Sequence, residues 1–553
     1  PTGTGKTLIN LRLASNIKSQ VESDLNYSPK IIYSLPFLSI IDQTDNLINN
    51  VLNLFGIEIT SDIYLTHHHL SPLEYKISAS KNKKEEDEQN IDFLDILKGE
   101  LLIENWDSHL ILTTFVKLFE TITGNNVSTL MRFYNLISSI VILDEVQTIP
   151  HKYFLFLKKF FEALSYYFNN YFILSTATKP IILQGKSLDL QDPILINSLN
   201  RVKINFHFIN KLNNTNEFRN SDKNVYNNLL ENFNYETLEN LKSKILSLLE
   251  GKKYKKILVV LNTIRSAQEL YKSIKNELTN IKMDEDIKLY FLSSHIIPKE
   301  RKKRIEEIKN NSEKFKLVIS TQLIEAGIDI DFDYSIRDFA PLDSIIQIAG
   351  RTNRNAMNPN AANLDIFYLI DPKTNRTFSS YIYDPILIDS TKQAIQEIIN
   401  KSYNPEIYEK SFYHIFETYN NLLENKLSNK ESKEIIDELK KLEFENISNY
   451  KLIEHKYLEF PMFIELDKEA NYIWQNYCDI IQNLKKDYLK SKQEFIKIKP
   501  KLYSYVINVS KSYCKNNCPA FNNGFLYVDY QNLSRYYDIE IGYLPNNEDL
   551  FII

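Results

Sequence analysis

The sequence predicts an α/β protein with two tandem parallel-sheet units, followed by a helical linker region and a small C-terminal domain. Short apolar runs alternate with helical stretches over the first 200 residues, and the alternation resumes near residue 256. Continuous Val, Ile and Leu runs are typical of strands that a parallel sheet buries on both faces. The chain has 553 residues, 43% hydrophobic and 25% charged, which is enough for several domains with separate cores.

The predicted strands are apolar runs bounded by polar residues. They cover Lys30–Ser34, His109–Thr113, Ser139–Leu143 and Tyr171–Ser175 in the first unit, and Lys256–Leu261, Ile287–Leu292, Leu317–Thr321 and Asp365–Ile370 in the second. An Asn-rich stretch over residues 210–227 separates the units and predicts a linker. The expected domains are residues 1–205, residues 206–375, a helical linker region over 376–500 and a C-terminal accessory domain over 501–553.

Composition excludes several protein classes. The chain has only 11 glycines, far below the usual share of about 7%, which excludes collagen-like and glycine-linker proteins. Its three cysteines are sparse and odd in number, which favours a reducing compartment. No apolar run reaches the ~18 residues that a membrane span requires. We therefore expect a cytoplasmic protein without a membrane partner, and the start at Pro1 suggests that further sequence precedes it.

The net charge restricts how this chain could bind nucleic acid. The formal charge is −5, so no basic field covers the whole protein and any such binding requires local patches. Two basic runs, Lys252–Lys256 and Lys299–Arg304, are candidates for such patches, although each could equally be a solvated face.

The first motif with chemical meaning is Pro1–Thr7, which reads PTGTGKT. A phosphate-binding loop needs glycines where backbone N–H groups approach the anion, a lysine for the β- and γ-phosphates, and a Thr hydroxyl for Mg²⁺. Such a loop opens a helix, and Leu8–Ile17 has helical periodicity. The predicted ATP-binding residues here are Gly3, Thr4, Gly5, Lys6 and Thr7.

The second motif is the apolar run Ile140–Leu143 followed by Asp144 and Glu145. Two carboxylates after a strand lie at the carboxyl edge of a sheet, where open α/β sheets bind ligands. One carboxylate can hold Mg²⁺ and the other can activate the attacking water. A capping Asp would be the ordinary explanation of the pattern if it stood alone.

Three further segments follow predicted strands or helices. Ser175-Thr176-Ala177-Thr178 carries small hydroxyl side chains suited to coupling the nucleotide site to its surroundings. Ser320–Asp329 follows a strand and contains the scarce Gly327. In Gln347–Arg354, Arg351 and Arg354 are three residues apart and would share one helix face, from which they could reach a γ-phosphate across a cleft.

Together these segments resemble a superfamily 2 helicase with two RecA-like domains, and most closely the helicase-nuclease family of type I CRISPR systems. The narrower resemblance is carried by Tyr33–Phe37, by the segment around Trp106, by Asp144–Gln147 with Pro150, and by Ile324–Phe332 with Ala349–Arg354. It is specific from Pro1 to about Asn355 and diffuse beyond.

The resemblance implies roles for these residues. It implies that Glu145 is the general base, that Lys6 binds phosphate, and that Thr7 and Asp144 hold Mg²⁺. Arg351 and Arg354 would reach across from the second domain with support from Gln347, while Gly327 and Asp329 would contribute to the ATP site. The contacts to the strand would come from Pro36, Phe37, Thr113, Thr114, Ser320, Thr321 and Gln322. Ser175, Thr176, Ala177 and Thr178 would couple hydrolysis to movement.

The resemblance also implies cofactors and partners. These are ATP, Mg²⁺, single-stranded DNA and an RNA-guided surveillance complex, with 3′→5′ movement in a prokaryotic antiviral defence system. The family usually carries a metal-binding HD nuclease, but no His in this chain is followed by Asp, so we expect that nuclease on preceding sequence or on a separate chain. His67-His68-His69 is interpreted as a polar loop, because consecutive side chains point in different directions.

Other functions remain open from the sequence alone. An RNA helicase or the motor of a restriction system would share the nucleotide-binding motifs. From a different class, a nucleic-acid-bound ATPase switch or an inactive binding scaffold would also carry them.

Overall fold

The fold was analysed in a computed structural model. It describes residues 5–68, 101–176, 200–209, 234–281, 286–310, 314–325, 327–356, 358, 360–402, 406–408, 411–426, 429–452, 459–510 and 518–544. In this part of the chain, no helix is both long and apolar enough to cross a membrane.

The first unit is a parallel five-stranded sheet with helices on its faces. Its strands are β1 (Ile31–Leu35), β2 (Tyr64–His67), β3 (Leu110–Thr114), β4 (Ile140–Asp144) and β5 (Tyr171–Ser175), in the order β2-β3-β1-β4-β5. Its helices are α1 (Lys6–Leu25), α2 (Leu38–Leu54), α3 (Phe115–Thr123), α4 (Val127–Leu136) and α5 (Phe154–Phe168). All four predicted strands are confirmed to within one residue, whereas β2 was not predicted.

The register of this sheet gathers the motifs at one edge. Leu35, at the end of β1, pairs with Thr114 at the end of β3. Asp144, at the end of β4, pairs with Ser175 at the end of β5. Because all five strands are parallel, the residues that follow them meet at the carboxyl edge, where ligands bind in such sheets.

The second unit is a seven-stranded sheet. Its strands are β6 (Val202–Phe206), β7 (Lys256–Val260), β8 (Ile287–Leu292), β9 (Phe315–Ser320), β10 (Tyr334–Asp338), β11 (Ala362–Phe367) and β14 (Glu406–Tyr408), in the order β14-β6-β11-β10-β7-β9-β8. Only β14 is antiparallel to its neighbour. Its helices are α6 (Leu238–Glu250), α7 (Ile264–Asn280), α8 (Pro298–Lys309) and α9 (Leu342–Ala349). The expected boundary at residue 205 is wrong, because β6 belongs to this second sheet.

Residues 376–500 do not form a single helical linker. The helices α10 (Pro385–Ser402) and α11 (Phe412–Lys426) pack on the second sheet, where Ile395 and Tyr419 join its core. The helix α12 (Lys430–Lys441) returns to the first unit, where Ile435 joins the core of that sheet. We call residues 430–452, which include α12, the clasp.

The C-terminal domain begins by residue 459, well before the expected boundary at 501. Its four-stranded sheet consists of β15 (Glu459–Ile464), β16 (Val506–Ser510), β17 (Phe521–Asn522) and β18 (Phe525–Val528), in the order β16-β15-β18-β17. The helices α13 (Lys468–Asn483) and α14 (Tyr488–Tyr503) belong to it as well. The predicted helical region over 376–500 therefore included β15, α13 and most of α14, which belong to this domain.

Short elements complete the described chain. Two small hairpins are formed by β12 (Ile370–Asp371) with β13 (Arg376–Thr377) and by β19 (Tyr537–Asp538) with β20 (Gly542–Tyr543). Single helical turns cover Val146–Thr148, His151–Tyr153, Gln322–Ile324, Ser379–Ile382, Phe444–Ile447, Tyr530–Asn532 and Leu533–Tyr536.

The C-terminal domain is docked on the second sheet. Gln268 of α7 donates to the carbonyls of Ile541 and Tyr543, both at 3.0 Å. Gly542 lies so close to the chain that a Cβ atom there would collide with the carbonyl of His295. Its positive φ of 81° adds a second reason for glycine at this position.

Candidate active site

The phosphate-binding end of the site is the start of α1. Gly5 precedes the helix with a φ of 74°, and no side chain caps the helix end. A Cβ atom at Gly5 would meet nothing within 4 Å among the described residues. Uncapped first-turn amides and the helix dipole suit an anion such as phosphate. Gly3 and Thr4 lie outside the described residues.

Lys6 and Glu145 form an ion pair across this end of the sheet. The Lys6 Nζ and Glu145 Oε1 atoms are 2.8 Å apart. Gln147 donates a second hydrogen bond to Glu145. Burial would raise the pKa of Glu145, but the Lys6 ammonium and these hydrogen bonds outweigh it and hold the pKa below its usual value. Glu145 is therefore ionised and already aligned with the lysine of the phosphate site.

Asp144 is buried beside this pair and is tied to Thr7 through a tyrosine. Tyr33 of β1 donates to Asp144 Oδ2 at 2.8 Å, and Thr7 hydrogen-bonds to the same tyrosine hydroxyl. Burial raises the pKa of Asp144, and the Lys6 charge opposes that rise. Tyr33 was not predicted as a site residue, because one hydroxyl in an apolar strand gives no distinctive signal.

Thr7 and Asp144 fit the predicted magnesium site. They are the hydroxyl and carboxylate oxygens that Mg²⁺ takes in nucleotide sites, where phosphate oxygens and waters complete the coordination. No group of three or more His, Cys, Asp or Glu side chains within the described ranges could hold a metal ion by itself.

Two of the four predicted coupling residues, Ser175 and Thr176, lie within the described part of the chain. Thr176 donates to Gln147 Oε1 at 2.6 Å, and Ser175 hydrogen-bonds to Asp144. A continuous chain of contacts therefore runs from Lys6 through Glu145 and Gln147 to the end of β5. Ala177 and Thr178 lie outside the described residues.

The second sheet contributes Arg351 to the same site. Burial lowers the pKa of Arg351 to about 10, with the nearby Arg354 as a further cause. The Arg351 charge in turn helps to lower the pKa of Glu145 across the cleft. Arg351 Nε is buried and has no hydrogen-bond partner among the residues that the structure describes. Such a donor suits a charged phosphate oxygen.

The prediction that Arg351 and Arg354 share a helix face is wrong. The helix α9 ends at Ala349, and Asn353 has a left-handed φ of 47°. The two arginines therefore lie on a turn after the helix. Arg354 Nε is 3.0 Å from Asp329 Oδ1, so the structure pairs Asp329 with an arginine rather than placing it free for a nucleotide. Gln347 lies half-buried on α9, one turn before Arg351.

One contact joins the two units directly across the cleft. Gln43 of α2 donates to the carbonyl of Gly327. Gly327 has a φ of 78°, a conformation that favours glycine. Gly327 is thus a bridging position between the units in this structure.

Comparison with known proteins supports the resemblance. Residues 253–357, which contain Arg351 and Arg354, match a family model described as CRISPR-associated nuclease/helicase Cas3, C-terminal. The CRISPR-associated nuclease/helicase Cas3 of Haloferax volcanii is 25% identical over 518 residues, covering 80% of this chain and 54% of that protein. The Methanothermobacter thermautotrophicus Cas3 is 29% identical over 294 residues, covering 49% and 33%.

This chain is similar to Cas3. The solved structures of T. fusca Cas3 with ADP and with AMPPNP share its fold, with TM-scores of 0.62 and 0.63 at 12% and 13% identity. Each comparison covers 96% of this chain, but only 64% and 65% of the Cas3 chain. The chain spans about half the length of the Haloferax Cas3 and a third of the Methanothermobacter Cas3.

Most predicted strand-contact side chains are used inside the fold. Thr113 is fully buried and donates to the His67 carbonyl at 2.8 Å, while Thr114 caps α3. Ser320 donates to the Leu292 carbonyl at 3.1 Å.

Thr321 is 4% exposed, and Gln322 donates to the Asn262 carbonyl at 2.7 Å. Of the predicted contacts on the first sheet, Phe37 is 44% exposed and Pro36 is half-buried. Short polar residues at strand ends can satisfy neighbouring backbone groups in this way, and the contact of these positions with nucleic acid stays a prediction.

At least one lysine of each basic run is paired with a carboxylate. Lys299 Nζ lies 2.9 Å from Asp467 and 2.7 Å from Glu469 in the C-terminal domain. Lys252 pairs with Asp286 at 2.8 Å, near the amino edge of the second sheet and away from the site.

The Trp106 segment, part of the Cas3 resemblance, is a buried structural network. Trp106 is fully buried and donates to His67 Nδ1 at 2.8 Å. His67 Nε2 faces Glu104 at 3.7 Å, and Arg132 donates to the same carboxylate. The interpretation of His67 as part of a polar loop is therefore wrong, since it ends strand β2. His69 lies outside the described residues.

Proposed function

We propose that this chain is the ATP-driven motor of a Cas3-type DNA helicase in type I CRISPR interference. It would move 3′→5′ on single-stranded DNA and unwind the target for degradation. The similarity to Cas3 supports this proposal, and the site supports the ATPase part. The surveillance complex and an HD nuclease, in cis or in trans, belong to the proposal as partners, in a prokaryotic cytoplasm.

One observation carries the proposal: Glu145 is paired with Lys6 of the phosphate site, and the charge of Arg351 from the second unit acts on the same carboxylate. A nucleotide's β- and γ-phosphates would replace Glu145 as the partner of Lys6, leaving that carboxylate free to accept a proton from the attacking water. Thr7 and Asp144 would hold Mg²⁺, which neutralises charge on the phosphates.

Arg351 would stabilise the charge that develops on the γ-phosphoryl group. Its guanidinium approaches from the second sheet, so the site is complete only when the cleft is closed. Opening after hydrolysis would withdraw Arg351 and move the two units relative to each other. Strand contacts on both units would convert this motion into movement along DNA.

The test is to measure ATP hydrolysis by the full-length protein with single-stranded DNA, single-stranded RNA or no nucleic acid. We expect strong stimulation by DNA alone and unwinding of a duplex with a 3′ tail. Stimulation by RNA alone would favour an RNA helicase. DNA-stimulated hydrolysis without unwinding would favour an ATPase switch, and no hydrolysis would favour a scaffold.

Lys6→Ala and Glu145→Gln test the site itself. Each should reduce kcat at least ~10³-fold, because one removes the phosphate ligand and the other the base, while DNA binding persists. Lys18→Ala, later in the same helix, is the matched control and should hydrolyse ATP normally, since Lys18 donates to the Pro29 carbonyl away from the site. Normal hydrolysis by either site variant would contradict the assignment.

A further inference from the structure

A buried ion pair lies behind Arg351 in the second sheet. Arg337 of β10 is fully buried, Glu325 is 9% exposed, and Arg337 Nη2 lies 2.7 Å from Glu325 Oε1. Taking two charges out of water is costly, so such a pair contributes little to stability unless its other atoms are satisfied. The surroundings of the pair therefore matter more than the pair alone.

The pair is held from several elements at once. Arg337 donates to Asn262 Oδ1 at 2.6 Å and to the Tyr383 hydroxyl at 2.8 Å. Ser344 of α9 donates to Glu325. Asn262 follows β7, Tyr383 precedes α10 and Ser344 lies in α9. The Arg337 guanidinium therefore connects three parts of the second unit. We call these five residues the Arg337 network.

The network ends at Arg351. The carbonyl of Glu325 accepts a hydrogen bond from Arg351 Nη2 at 3.1 Å, whereas Arg351 Nε has no partner within the described ranges. Because the side chain and the backbone carbonyl belong to the same residue, holding the Glu325 side chain in place also restricts the position of its carbonyl. The direction of the Arg351 guanidinium thus depends on how firmly Glu325 is held.

We propose that Arg337 is a positioning residue for Arg351, which it aims at the nucleotide by fixing Glu325 through the Arg337 network. This inference rests on the proposed ATPase function and deepens it. Arg337 never touches the nucleotide; it sets the position of the group that does. Because an error of about 1 Å in a reacting group can cost about 100-fold in rate, a loosened network slows hydrolysis without weakening nucleotide binding.

The test uses two variants of the full-length protein. Arg337→Lys keeps the charge beside Glu325 but loses the fork that reaches Asn262 and Tyr383. Tyr383→Phe removes one hydroxyl and leaves the ion pair intact. We expect kcat with DNA to fall about 100-fold for Arg337→Lys and about tenfold for Tyr383→Phe, with KM for ATP changed less than about twofold.

Tyr334→Phe is the matched control. Tyr334 is 4% exposed and donates to Asp365 in the same sheet, outside the Arg337 network. It should keep kcat while its melting temperature falls about as much as that of Tyr383→Phe.

The outcomes separate the two claims. If Arg337→Lys does not fold, Tyr383→Phe still decides. Wild-type kcat in Tyr383→Phe, or an equal loss of kcat in Tyr334→Phe, overturns the positioning role and leaves the ATPase assignment standing. A wild-type protein that hydrolyses no ATP overturns both.

Discussion

At the scale of residues, the neighbours of Glu145 determine whether its carboxylate is paired or available. Without nucleotide its charge is neutralised by Lys6, and it is restrained by Gln147. With phosphate bound, the same carboxylate would lose the lysine and become available as a base. In the proposed function, the Lys6–Glu145 contact would suppress the base until the substrate arrives.

Asp331 is a second carboxylate with a definable effect. It accepts the backbone amides of Arg354 at 2.7 Å and Asn355 at 3.0 Å, so it fixes the turn that carries Arg354. We expect Asp331→Ala to lower kcat about tenfold and the free energy of unfolding by roughly 1–2 kcal/mol, as for lost hydrogen bonds to a charged group. Steady-state kinetics and urea unfolding measure the two effects.

The control for Asp331 is Asp333→Ala. Asp333 Oδ2 accepts the amides of Lys255 and Lys256, each at 2.9 Å, at the far edge of the sheet. This variant should lose similar stability and keep kcat. An equal fall in kcat for both variants would contradict a specific role of Asp331.

The local motifs allowed several site residues to be predicted, and the structure brings Lys6, Thr7, Asp144 and Glu145 together as a result. Each of these residues lies at or just after the end of a strand, or at the start of a helix, so the pattern of the neighbouring sequence reveals it. The proposed role of Arg337 could not be predicted, because its partners lie 7 to 77 residues away along the chain.

At the scale of elements, strands that contain a continuous apolar run were predictable, whereas strands interrupted by polar residues, such as β6 and β10, were not. The strand β10 is central and fully buried, yet it reads Tyr-Ser-Ile-Arg-Asp. Its arginine and aspartate hydrogen-bond to tertiary partners such as Asn262. The strand β6 alternates apolar and polar residues and lies beside an Asn-rich stretch, so the sequence did not reveal this strand either.

The network around Trp106 predicts a pH dependence of stability. The His67 ring and the Arg132 charge lower the pKa of Glu104 to about 2, although burial opposes them. Since the unfolded value is 4.5, the carboxylate stabilises the fold above that pH and the stabilisation is lost as pH falls toward 2. Glu104→Gln should therefore destabilise the protein at pH 7.

The expected loss is about 1 kcal/mol, a small value because 35% of the Glu104 side chain is exposed. Urea unfolding from about pH 7 to about pH 3 should show the difference from wild type narrowing as Glu104 protonates. Glu120→Gln, which removes a surface pair with Lys117, should show almost no difference. A constant gap across the whole range would contradict the assignment.

At the scale of the whole molecule, the chain crosses between the two units more than once. The clasp leaves the second unit after α11 and packs on the first, where Ser432 accepts the Phe156 amide at 3.2 Å and Tyr153 donates to the Lys451 carbonyl at 2.8 Å. The next described residues belong to the C-terminal domain, which is docked on the second unit. The clasp therefore moves with the first unit and its flanks move with the second.

Ile435→Ala tests the attachment of the clasp. Ile435 is fully buried in the core of the first unit, so its truncation should cost about 2–5 kcal/mol of local stability and increase amide exchange in residues 430–452. Leu442→Ala, at a residue 69% exposed in the same segment, should leave exchange unchanged. Exchange rising equally throughout the first unit would show that the clasp is not a separate unit.

The clasp also sets a limit on motion. Lys426 ends α11 and Asn429 precedes α12, and three peptide links hold their Cα atoms within about 11 Å whatever the state of the site. The two units are thus tethered to each other between α11 and α12. If the chain works as the proposed motor, this short connection limits how far the ends of α11 and α12 can separate during each cycle of ATP hydrolysis.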